Sequence, residues 1–64
     1  MIKVNQIRKF HAYDLYFIVT RLHGDTVGSV TIRYLDSGML TDTLVKRLEL
    51  NSGLVELQWS KKTR

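Results

Sequence analysis

Leu15-Tyr16-Phe17-Ile18-Val19-Thr20-Arg21-Leu22, then His23-Gly24-Asp25-Thr26, then Val27-Gly28-Ser29-Val30-Thr31-Ile32-Arg33-Tyr34 reads as strand, turn and strand. The first arm is rich in aromatic and β-branched residues, which suit a pleated surface. The second arm alternates: Val30, Ile32 and Tyr34 fall on one face, and Ser29, Thr31 and Arg33 on the other. Between them, Gly24-Asp25 fits a two-residue type II′ turn with glycine at the positive-φ position. That turn sets a register of Val19 against Val30, Phe17 against Ile32 and Leu15 against Tyr34. The opposite face then pairs Thr20 with Ser29, Ile18 with Thr31 and Tyr16 with Arg33. Gly28, opposite Arg21, is the expected place for a bulge.

Outward from this hairpin the signals weaken. Toward the N-terminus, Ile2 and Val4 alternate with Lys3 and Asn5, which predicts a strand over 2–7 and an irregular link over 9–14. Toward the C-terminus, Leu35-Asp36-Ser37-Gly38 is a loop. Residues 39–50 admit two readings. Leu40, Leu44 and Leu48 recur at helical spacing, with Thr41 or Asp42 as N-cap. Alternatively, Leu44, Lys46, Leu48 and Leu50 share one face of a strand. The strand reading gains from Val55, Leu57 and Trp59, which alternate over 54–59. A tip at Ser52-Gly53 would set Leu50 against Val55, Leu48 against Leu57 and Lys46 against Trp59, with Glu49 unfavourably opposite Glu56. The expected fold is mostly β, a small antiparallel SH3-like barrel or sheet of four to five strands. The alternative is α+β, with one helix at about 41–50 on a three- to four-stranded antiparallel sheet.

At 64 residues the chain is long enough for one small domain, 1–64, with a basic tail at 60–64 expected to fray. So short a chain buries a small core, and with no cysteine it has neither disulfides nor thiolate metal sites. Met1–Gln6 lacks the apolar core of a signal peptide, and Leu15–Val19 is too short to span a bilayer. A cytoplasmic protein without membrane contact is expected.

Chemistry-bearing patterns are sparse. His11 and His23 lack metal-ligand spacing for one element, the carboxylates are scattered, and no nucleophile elbow or phosphate-cradling glycine loop occurs. These patterns predict neither enzyme activity nor a cofactor. The formal charge is +4, from ten Lys and Arg against six Asp and Glu. Such a balance points to an acidic partner, nucleic acid first. Phosphate needs cations, and unpaired bases need flat side chains to stack on. Candidate residues are Arg33 with Tyr16 beside it, Lys46, Arg47, and the tail cations Lys61, Lys62 and Arg64. A different class of function is a protein-interaction module, a small inhibitor or adaptor. Leu15–Val19 is apolar on both faces, and one sheet cannot bury both without a cover. A protein partner or a second copy of the chain could supply that cover through a sheet face or strand edge.

Overall fold

A computed structural model describes residues 1–55. It contains β1 (Ile7–Phe10), β2 (Tyr16–Leu22), β3 (Ser29–Tyr34), β4 (Leu40–Leu44), α1 (Val45–Asn51) and β5 (Ser52–Leu54). The five strands make one sheet in the order β4-β3-β2-β1-β5, and every pairing is antiparallel. β4 and β5 lie at opposite edges, so among the described residues the sheet stays open and does not close into a barrel. The small-sheet expectation and the α+β alternative both describe this architecture. No helix among the described residues is long and apolar enough to cross a membrane.

The core lies on one face. Phe17 and Val19 of β2 and Val30 and Ile32 of β3 are fully buried, with Leu48 of α1 and Ile2 packed on them. Seven residues are too few for a helix to hold in water alone. α1 forms because Val45 and Leu48, three apart, turn toward the sheet while Lys46, Arg47, Glu49 and Leu50 face solvent. Its first amide is tied down when Val45 N–H donates to the Gly28 carbonyl at 2.9 Å. Its last turn closes when the Ser52 hydroxyl donates to the Leu48 carbonyl.

Ser52 also receives Arg8, which is only 7% exposed on the core face of β1. Arg8 Nε donates to Ser52 Oγ at 3.0 Å, Nη2 to the Ser52 carbonyl at 2.9 Å, and Nη1 to Gln6 Oε1 at 3.2 Å. One of the ten cations of the chain is therefore a buried clamp between β1 and β5.

The central hairpin keeps its expected faces but not its register. Phe17 pairs with Tyr34 and Val19 with Ile32, two residues from the expected alignment, so both faces survive the shift. The connection is also longer. Gly28 N–H donates to the Asp25 carbonyl, and Gly28 holds φ 69°; Gly24 is not among the residues at positive φ, as a II′ turn would require. Tyr16 and Arg33 are consequently not directly opposed: Tyr16 pairs with Lys9, and Arg33 with Ile18 and Leu40. A bulge does occur, at Thr20 rather than Gly28, since the register jumps between Val19 and Arg21.

Elsewhere, Leu35–Gly38 is a loop as expected, with Gly38 at φ 77°. The strand expected at 2–7 lies instead at Ile7–Phe10. Asn5, at φ 76°, turns the chain so that Ile2 drops into the core. Residues 45–50 are helical, which removes the strand at 44–50 and its cross-strand pairs. Ser52-Gly53 is not a hairpin tip but part of β5, paired with β1. The remainder of the expected 54–59 strand, from residue 56, and the tail lie outside the described residues.

The turn assignment predicts a contrast. Gly28→Ala should cost about 1 kcal/mol, because alanine resists the left-handed region, while Gly24→Ala should be neutral or slightly stabilising. Urea unfolding of the two variants checks this; equal losses would contradict the turn. Arg8→Met should cost more, about 1–3 kcal/mol, through the acceptors it leaves on Ser52 and Gln6. An unchanged urea midpoint for that variant would show the clamp to be dispensable.

Candidate functional site

The face away from the core is the site. Among the described residues no secondary-structure element packs over it, since α1 and Ile2 both cover the other side. Strand alternation sets its residues: Ile7 and Lys9 from β1, Tyr16 and Ile18 from β2, Thr31 and Arg33 from β3, and Leu40, Asp42 and Leu44 from β4. One row runs straight across four strands as Ile7, Ile18, Arg33 and Leu40. In the next row Lys9 stands beside Tyr16.

The bulge adds a further cation. Without it, Arg21 would share the inward parity of Phe17 and Val19. The extra residue at Thr20 reverses the alternation, so Arg21 pairs with outward-facing Thr31 and Leu22 with inward-facing Val30. Thr20 compensates the disrupted ladder by donating its hydroxyl to the Thr31 carbonyl at 3.0 Å. Lys9, Arg21 and Arg33 thus occupy three adjacent strands of one face. Tyr16, 39% exposed, lies beside Lys9 and one row from Arg33, at the opposite end of β2 from Arg21.

Two nearby carboxylates are hydrogen-bonded, Asp42 on this face and Asp25 in the β2–β3 connection. The Thr31 hydroxyl donates to Asp42 Oδ1 at 2.5 Å, and His23 Nε2 lies 2.7 Å from the same Thr31 oxygen. With the hydroxyl proton directed to Asp42, His23 Nε2–H is the donor in that second contact. In the β2–β3 connection, Asp25 accepts from the Ser29 backbone N–H and the Ser29 hydroxyl. The Ser29 hydroxyl and then its amide hold the Asp25 carboxyl below its ordinary value of about 3.8.

The predicted site residues are divided by the sheet. Arg33 and Tyr16 are on the open face, on neighbouring strands. Lys46 and Arg47 are exposed on α1, on the core side. Lys61, Lys62 and Arg64 lie outside the described residues. Lys9 and Arg21 join the face without having been singled out. The signal for Lys9 was its parity once β1 is placed at 7–10; the signal for Arg21 depends on the bulge. Among the described residues no three His, Cys, Asp or Glu side chains gather to hold a metal ion. Comparison with known proteins gives no family model, no curated relative and no solved structure that matches the chain.

Asp25 generates a pH prediction. Its hydrogen bonds favour the ionised form, so its folded value lies below the unfolded one. The stabilisation is present above the unfolded carboxylate range and is lost as pH falls through the folded value. Asp25→Asn should therefore lose less melting temperature than the parent chain between about pH 6 and about pH 3. Equal losses in a thermal scan at the two pH values would remove Asp25 from the acid response.

Proposed function

We propose that the chain is a single small, non-enzymatic, cytoplasmic domain that binds single-stranded nucleic acid on the open face of its sheet. One observation carries this reading: Lys9 stands beside Tyr16, Arg33 lies one row on and Arg21 continues the cationic face toward the far end of β2, with no element among the described residues covering it. An exposed aromatic ring on a sheet offers a base a stacking surface, and flanking cations take the adjacent phosphates. Arg33 also presents a planar guanidinium that can stack or bridge two phosphate oxygens. Ile18 supplies apolar contact between the charges. Lys61, Lys62 and Arg64 add sequence-independent attraction. Lys46 and Arg47, on the far side, fall outside this footprint.

A protein-interaction role is the second reading, and the β4 edge favours it. Among the described residues β4 pairs only with β3, and its outward-facing Leu40 and Leu44 are 56% and 40% exposed. An extended segment of a partner could add to this edge through main-chain hydrogen bonds.

Fluorescence anisotropy with labelled single-stranded RNA, single-stranded DNA and duplex DNA at several salt concentrations tests the first reading. The three phosphate contacts of the open face contribute about −2 to the log–log salt slope for single strands, and the tail cations steepen it further. Arg33→Ala should reduce that slope by about 0.7. Tyr16→Ala should weaken binding by about 1–3 kcal/mol and leave the slope unchanged. Absence of binding at low salt, or binding indifferent to both substitutions, would reject this face.

A further inference from the structure

The core side of the sheet carries a second feature that the open face does not explain. A cavity of about 420 Å³ lies between the inner surface of β3 and β4, α1 and the link that follows β1. Its size falls in the range of small-molecule sites. Ile32 and Leu48, each 1% exposed, lie beneath it as part of the core. Three aromatic rings line it. Phe10 stands 6.5 Å from Tyr34 and 6.3 Å from Tyr13 between ring centroids. Thr41 and Thr43, facing inward beside Ile32 and Val30, add hydroxyls from β4.

The charge of this cavity has one sign. Arg47 lines it, is exposed to solvent, and takes part in no ion pair among the described residues. Asp42 also borders the cavity, but its carboxylate turns to the opposite face, where it accepts from Thr31. His11 is anchored through its backbone, whose N–H donates to the Asn51 carbonyl at 2.8 Å, so the link over the cavity is tied to the end of α1.

We propose that this cavity binds a small planar aromatic anion. The ring would lie among Phe10, Tyr13 and Tyr34, above the buried Ile32 and Leu48, and the anionic group would meet Arg47. Aromatic walls favour a flat ring through stacked or edge contacts, and a guanidinium favours a carboxylate, sulfonate or phosphate. The site is on the other side of the sheet from the proposed nucleic-acid face and does not depend on that reading.

The test is an NMR titration of the whole chain with indole-3-acetate. Indole-3-acetamide and tryptamine serve as neutral and cationic controls. Saturable shifts of the Tyr13 and Tyr34 ring resonances are expected, with the Tyr16 ring on the opposite face unmoved. Arg47→Gln, at an exposed position that folding does not rely on, should weaken indole-3-acetate about tenfold and leave the acetamide unchanged. Thr43→Phe should fill the cavity and abolish binding of both. No saturable shift at millimolar indole-3-acetate would overturn the proposal, as would tryptamine binding as tightly as the acid.

Discussion

A guanidinium inside the protein holds this fold together. Arg8 projects from β1 onto the face that forms the core, where a charge is costly unless its donors are satisfied. It is satisfied by neutral oxygens, chiefly those of Ser52. Ser52 in turn closes the last turn of α1 through Leu48, whose side chain is buried against the sheet. One chain of contacts therefore links β1, β5, the helix end and the core. A seven-residue helix and a three-residue strand are each too short to persist independently, and this linkage makes them parts of one structure.

The second determinant is the extra residue at Thr20. A regular β2 would direct Arg21 toward the core face, where no carboxylate awaits it among the described residues. The bulge turns Arg21 outward and Leu22 inward, opposite Val30. It thereby separates two chemistries along one strand: apolar residues that build the core, and a cation that joins Arg33 and Lys9. The division of the chain into a buried face and a charged face rests on this irregularity as much as on simple alternation.

These two features also mark the limits of the sequence. Alternation at Val30, Ile32 and Tyr34 made the faces of the central hairpin legible, and Gly38 with Asp36 and Ser37 made the next loop legible. The register was not, because Gly24 looks like a tight-turn glycine while the positive φ belongs to Gly28. Asp25 side-chain bonds to Ser29 shape the longer connection, and composition does not announce them. Residues 40–51 defeated a single assignment because they contain both structures in succession, a strand and then a helix, so each periodicity was partly present. Tyr16 and Arg33 were placed on one face through a pairing that does not form. The choice of face survived because a two-residue slip preserves parity. The burial of Arg8 is not legible in the sequence, since it depends on β5, a strand of three residues with no pattern of its own.

Asp42 sits at the centre of Leu40-Thr41-Asp42-Thr43-Leu44, a sequence that reads the same in both directions. Two copies meeting antiparallel along β4 would match leucine to leucine and threonine to threonine, an inviting symmetry for an exposed strand. They would also bring two carboxylates side by side at the twofold axis, and like charges directly opposed are unfavourable. Thr31 and His23 hold Asp42 in place, so it cannot readily swing aside from that encounter. The edge is accordingly guarded against its own kind in its most symmetric alignment, a form of protection against edge-to-edge aggregation carried by one side chain.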